Sequence, residues 1–243
     1  GVFLARVRGA KKLIAVAQAD SVLFTAIEAE QTTTVAGKTV KIALLSSKNA
    51  ELLRKHLPFM KPVAFGRNSF SLGLGDRLGL ASPGHLRCLA GSGIRPVLAQ
   101  QSIRELTLTE RTYGDVLDAA SWAVLQEGFH DGFGADGDHL KRSEDIKMAL
   151  DLGFSMITLD CSEKIDGNVA NLSEAERCER YQSLPDVFRT KMEAAYLDKT
   201  FSVGKSSVHF AADALQEILL TYGETLAFIA EIDAKFIKPH HQP

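Results

Sequence analysis

The stretch "GFGADGDHLKRSEDIKMALDLGFSMITLD", residues 132–160, decides how this chain is read. "GFGAD" (132–136) is a short apolar run bounded by glycine and polar residues, and reads as a strand. A helix is expected from Ser143, with Glu144 and Asp145 in the first turn, where acidic groups meet the positive end of the helix dipole. Ile146, Ala149 and Leu150 recur at i, i+3 and i+4, and Gly153 supplies the stop. "SMITLD" (155–160) is strand again. Strand, helix and strand in so short a segment make a β-α-β unit, whose strands run parallel.

The same rhythm extends toward the N-terminus. "SFSLGLG" (69–75) reads as a strand, followed by a helix with Ser82 as its expected cap and Pro83 at its first position. "RPVLAQQS" (95–102) is a strand, and "YGDVLDAASWAVLQEGF" a helix burying Val116, Ala120, Ala123 and Val124. After 160, Ser173 and Glu176 form a capping box ahead of a further helical stretch. Four β/α units in succession predict an α/β protein, either the first half of a (β/α)₈ barrel or a doubly wound sheet. The barrel half is the favoured assignment, over residues 61–243. Residues 1–60 read as a small α/β lead-in domain. There "VFLARVRGAKKLIAVAQ", "SVLFTAIEAE" and "TTTVAGKTVKIALLSS" look strand-like, and "NAELLRKHL" looks helical with Asn49 as cap.

Composition bounds the function. The 243 residues are 45% hydrophobic and carry a formal net charge of −2, so no basic surface for nucleic acid or an anionic membrane is evident. No apolar run suits a membrane span and no signal-peptide pattern appears, although the chain opens on Gly1 without a methionine. Cys88, Cys161 and Cys178 are odd in number and widely spaced, which fits a reducing, cytoplasmic setting rather than a disulfide framework. "ETLAFIAEIDAKFIKPHHQP" runs a long apolar period into a proline-bounded tail, so a further strand is expected beyond Pro243.

The strand ends carry the candidate chemistry. The first ends at Asp76 and Arg77, the second at Gln100, Gln101 and Ser102, the third at Asp136, Asp138 and His139, and the fourth at Asp160. In a parallel array these fall on one face, the face on which barrel enzymes build their sites. Asp136 and Asp138 share a side of an extended strand, but a strand ending near Ala135 lets the turn bring His139 inward with them. An imidazole beside a carboxylate suits a divalent metal with a neighbouring base. The same residues also suit a capping aspartate and a solvated histidine. "SLGLGDRLG" has its glycines in the wrong spacing for a dinucleotide loop. Arg77 or Arg104 suits a carboxylate or a structural ion pair. His85 in a helix, His209 in an apolar helical stretch, and Trp122 read as structural. Cys161 lacks a paired histidine, and His240 and His241 read as solvated tail residues.

Three motifs, "SFSLGLGDRLGLASPGHLRCLAGSGIRPVLAQQSIREL", "TYGDVLDAASWAVLQEGFHDGFGADGDHLK" and "GFSMITLDCSE", resemble the tagaturonate epimerase family, the hexuronate C4-epimerases. The resemblance implies a bacterial enzyme interconverting D-tagaturonate and D-fructuronate with a divalent metal (Ni, Mn, Zn, Fe or Co) held by histidines. It implies Asp138 as an acid/base and His139 as a metal ligand. A second acid/base, a glutamate, and the other ligands would lie in a C-terminal half beyond these residues. Gly137 departs mildly from the alanine expected there. Asp76, Arg77, Gln100, Gln101, Asp136 and Asp160 are the candidates for orienting the substrate. The expected partner is a small hexuronate, with neither nucleic acid nor membrane. A sugar-acid aldolase or isomerase, or a catalytically silent half-barrel, are the competing expectations.

Overall fold

The computed structural model describes residues 1–17 and 21–240, which form two compact units, Gly1–Leu159 and Asp160–Pro243. His241 lies outside the described residues.

The first unit opens with two hairpins. Strands β1 (Val2–Val7) and β2 (Ala10–Ala17) join through Arg8 and Gly9, both at positive φ. A helix, α1 (Val22–Ala26), follows where the β-branched composition of "SVLFTAIEAE" predicts a strand. The reason is tertiary: Lys41 places its ammonium on the carbonyls of Phe24, Thr25 and Ile27 at 2.8–3.0 Å, satisfying the end of a turn too short to persist alone. That lysine belongs to β4 (Lys38–Ala43), which pairs with β3 (Gln31–Val35) around Ala36 and Gly37, again both at positive φ. Two-residue turns of this hand match the twist of the strands they join. The antiparallel sheet runs β1-β2-β4-β3. Helix α2 (Ser47–His56) is capped by Ser46, not by Asn49. Asn49 is buried one turn in. Its amide donates to the carbonyls of Glu28 and Leu44, and its oxygen accepts the Glu28 amide, all at 3.0 Å.

Next come β5 (Ser71–Gly75), α3 (Ser82–Leu89), β6 (Arg95–Gln100), α4 (Ile103–Thr109), α5 (Tyr113–Glu127), β7 (Gly134–Leu140), α6 (Ser143–Leu152) and β8 (Met156–Leu159). The four strands form one parallel sheet in chain order, β5-β6-β7-β8, each pair linked through helix. Gly153, at φ 100°, ends α6 as its position in the sequence predicts. His85 lies inside α3, also as read. Two local assignments change. Ala81, not Ser82, holds the cap position of α3, because Ser82 is drawn inward to Asp76. The third strand does not stop at Asp136 but continues through a bulge to Leu140.

Helix α5 is buried on nearly all sides. Trp122 and Leu125 pack with Leu13, Phe24, Leu53 and Met60 of the lead-in segment. Full burial of each such side chain contributes about 1.5–3 kcal/mol. Arg54 of α2 pairs with Asp118 of α5 at 2.6 Å, with Ser121 at 3.3 Å completing the contact.

The second unit contains α7 (Glu174–Gln182), α8 (Asp186–Tyr196), a hairpin of β9 (Thr200–Val203) and β10 (Ser206–His209), and α9 (Ala212–Ile232). The capping box of Ser173 and Glu176 opens α7 as read. His209 is an exposed strand residue rather than a helical one, set opposite Thr200 by the turn at Gly204. Tyr181, Leu215 and Leu219 form the core of this unit. Among the described residues, no helix is long and apolar enough to cross a membrane.

Candidate active site

Strands β6 and β7 both break register near their C-terminal ends. Between β5 and β6, Gly73 and Gly75 face Val97 and Gln100. Between β7 and β8, Gly137 and Leu140 face Ile157 and Leu159. Each break inserts one residue, and each inserted segment holds a non-glycine in the left-handed region: Ala99 at φ 63° and His139 at φ 57°. Such backbone costs about 1–3 kcal/mol per residue and persists where surrounding contacts impose it, commonly where a bulge re-aims a functional side chain.

Between the two bulges lies a buried polar layer. Asp136 is fully buried, and its carboxylate accepts Gln100 Nε2 at 3.0 Å and Thr158 Oγ1 at 2.8 and 3.0 Å. Burial pushes its carboxyl above the ordinary range. The bonds from Gln100 and Thr158 oppose that shift, and the negative charge of Asp138 adds to it. The Gln100 amide lies over Gly73, where a Cβ would stand 2.9 Å from its nitrogen and oxygen.

Past the bulge, Asp138 Oδ1 lies 2.6 Å from His139 Nδ1. The carboxylate is buried, whereas the imidazole is 57% exposed. Tyr113, from the start of α5, reaches the Asp138 carbonyl at 3.5 Å. Its phenol is pushed up chiefly by burial, then by the carboxylates of Asp145, Asp138 and Asp136. As the Nδ1–H tautomer, His139 donates to Asp138 and keeps Nε2 for a metal, the arrangement that orients most metal-binding imidazoles. These residues fit one ligand and its orienting partner. Among the described residues, no three His, Cys, Asp or Glu side chains converge to hold a metal ion.

The other candidates are placed differently. Asp76 is buried in the loop after β5 and accepts the amides of Leu80, Ala81 and Ser82 at 2.8–3.0 Å, plus the Ser82 hydroxyl at 3.1 Å. Burial alone would raise its carboxyl, but the bonds from Leu80, Ser82 and Ala81 outweigh it and hold the group below the usual range. Arg77 is largely exposed and pairs with Glu105 at 2.9 Å, and Arg104 pairs with the same carboxylate. Gln101 is fully buried between Thr109 and Arg111. Asp160 opens the second unit and accepts the Ser162 amide at 3.0 Å. A cavity of about 500 Å³ in that unit has its cations committed, Lys164 to Glu224 and Arg180 to Asp166. The structure thus joins Gln100 to Asp136 and Asp138 to His139. Thr158, Tyr113 and Arg111 were not singled out from sequence, and Gly73, read as a turn glycine, instead makes room for the Gln100 amide; for Thr158, the polar side chain between Ile157 and Leu159 was the available signal.

A family model described as tagaturonate epimerase matches residues 1–243. The chain belongs to the tagaturonate epimerase family. A family relative from Thermotoga maritima, named tagaturonate/fructuronate epimerase, is 42% identical over 182 residues, covering 75% of this chain and 37% of the relative. Crystal structures of the fructuronate-tagaturonate epimerase from Cohnella laeviribosi, native and glycerol-complexed, are 48% identical with a TM-score of 0.88. The match covers 99% of this chain and 48% of theirs. The chain therefore spans less than half the length of the family members it matches.

Proposed function

We propose that this chain carries part of the active site of a metal-dependent epimerase that interconverts D-tagaturonate and D-fructuronate. The observation that carries the reading is the Asp138–His139 pair on the bulged end of a parallel strand, in a member of this family. The carbon to be inverted is β to the ketone, so enolisation alone does not reach it. Asp138, through Oδ2, takes the proton of the hydroxyl on that carbon. The bond to the neighbouring carbon, α to the ketone, then breaks and its electron pair moves onto the ketone oxygen as an enediolate. The hydroxyl-bearing carbon becomes an aldehyde, turns its other face, and is attacked again by the enediolate. Asp138 returns the proton. A divalent ion, Ni, Mn, Zn, Fe or Co, held in part by His139 Nε2, would supply Lewis-acid polarisation of the ketone.

The sheet itself we read as part of a (β/α)₈ barrel over residues 61–243 with a lead-in over 1–60. Strand order that follows chain order without a switch favours this over a doubly wound sheet. Three free thiols suit a cytoplasmic setting.

The test is turnover of D-fructuronate with each divalent ion, followed by NMR, in a polypeptide that supplies the rest of the site, with Asp138 intact and as Asp138→Asn. Tagaturonate formation that Asp138→Asn abolishes is the expected result. Solvent deuterium at the inverted carbon would overturn the cleavage mechanism, and accumulating three-carbon products would make the enzyme an aldolase. Turnover that persists in Asp138→Asn removes the acid/base assignment.

A further inference from the structure

We infer that Thr158, Asp136 and Gln100 form a positioning layer that sets the bulge carrying Asp138 and His139, and that the Asp136 carboxylate does not contact substrate. The inference rests on the roles proposed above for Asp138 and His139.

Asp136 is fully buried, and both of its oxygens are within hydrogen-bonding distance of side chains from the flanking strands. A carboxylate enclosed in this way has no face left for a sugar hydroxyl. It does tie three strands together at the residue just before the β7 register break. On the other side of that break, Leu140 is fully buried. The space beside Gly137 is closed by Ile157, Leu140 and Ala149, which would stand 2.9–3.3 Å from an added Cβ. The bulge is therefore clamped at both ends. The left-handed backbone of His139 is held between the clamps rather than chosen by its own preference. That backbone turns the imidazole back so that Nδ1 meets the carboxylate of the preceding residue.

The layer reaches a fourth strand through Gly73, whose missing side chain admits the Gln100 amide. Ala99, just before Gln100, is the second left-handed residue. One tie from Gln100 and one from Thr158 thus link the two strained strand ends through a single carboxylate. Loosening either tie should free the bulge without emptying the core, because the side chains involved are polar and local.

The experiment reads the imidazole directly. In the intact chain labelled with ¹⁵N-histidine, the ring nitrogen shifts at fixed mildly alkaline pH report the tautomer of His139. The wild type should hold the Nδ1–H form. Thr158→Val, which keeps the shape and removes one donor, should shift the tautomer ratio toward Nε2–H by about five-fold, since only part of the restraint lost with one hydrogen bond to a carboxylate is transmitted to the imidazole. Thr158→Ser should restore it, and Gly73→Ala, which displaces the Gln100 amide, should reproduce the shift. His56, His85 and His130 serve as folding controls. Wild-type His139 shifts in both Thr158→Val and Gly73→Ala, with the controls unchanged, would overturn the inference. If added divalent ion leaves the His139 ring shifts unchanged while His139 still follows Thr158, the metal-ligand reading fails and the positioning layer stands. A response to the ion with a His139 indifferent to Thr158 retires the layer alone.

Discussion

Replacing Asp76 by Asn removes one charge and changes one acceptor into a donor, and its consequence can be worked bond by bond. Oδ1 takes the Leu80 amide at 2.9 Å, a bond that Asn keeps. Oδ2 takes the Ala81 and Ser82 amides at 2.8 and 3.0 Å, and there the new NH₂ group faces two N–H donors. Hydrogen bonds to a charged group contribute about 1.5–3 kcal/mol each, so two lost bonds cost roughly 3–6 kcal/mol. The Ser82 hydroxyl can turn to accept from the new amide and the exposed Ala81 amide can find water, which brings the expected loss to about 3 kcal/mol. The sign with pH follows from the lowered carboxyl. Its stabilisation is complete above the unfolded-state carboxyl range and is lost as pH falls through the lower native value. The gap between wild type and Asp76→Asn should therefore be constant near neutrality and close on acidification. Urea unfolding followed by the fluorescence of Trp122, the chain's single tryptophan and a buried residue of α5, measures this in the first unit. A gap below about 0.5 kcal/mol, the range of ordinary surface changes, or one that does not close in acid, would refute the loop-staple role.

Gly79→Ala should destabilise by about 3 kcal/mol, combining a left-handed φ of 70° with displacement of Arg111, whose guanidinium lies 2.5–2.7 Å from the added Cβ. In an Arg111→Ala background the same change should cost markedly less, and strict additivity in denaturant unfolding would contradict the contact. Asp118→Ala should cost about 3 kcal/mol by stranding Arg54, and an unchanged unfolding midpoint would deny that the pair is buried. Asp136→Asn keeps partners for both ties while removing a buried charge. Because the native carboxyl is raised, chiefly by burial, the wild type carries a penalty that grows as pH rises through the native value. The variant should be at least as stable as wild type at neutral pH, and a thermal melting point clearly below wild type would count against this.

The parallel sheet was readable because each signal was local. The i, i+3, i+4 apolar spacing of Ile146, Ala149 and Leu150 and the stop at Gly153 needed no distant partner. The first-unit errors share the opposite cause. The turn at 22–26 is helical because Lys41 reaches it from another strand, and Asn49 is drawn into the interior by Glu28 and Leu44. The hairpin that carries His209 depended on pairing across Gly204, which apolar periodicity does not register. At the site, the polar strand ends marked residues that the two bulges bring together, but alternation could not foresee a histidine at positive φ. Without that bulge, neither the Asp138–His139 contact nor the role of Thr158 can be inferred.

Helix α5 forms a wall shared by the lead-in core and the helical cover of the parallel sheet, and this has a consequence for synthesis on the ribosome. Leu13, Phe24, Leu53 and Met60 are all translated before Trp122 and Leu125 exist to cover them. At typical elongation rates the roughly sixty intervening residues take about 3–12 s to appear. For that interval the nascent hairpins present a bare apolar face, so a pause in translation between Met60 and Trp122 should prolong chaperone dependence more than a pause placed after Leu125.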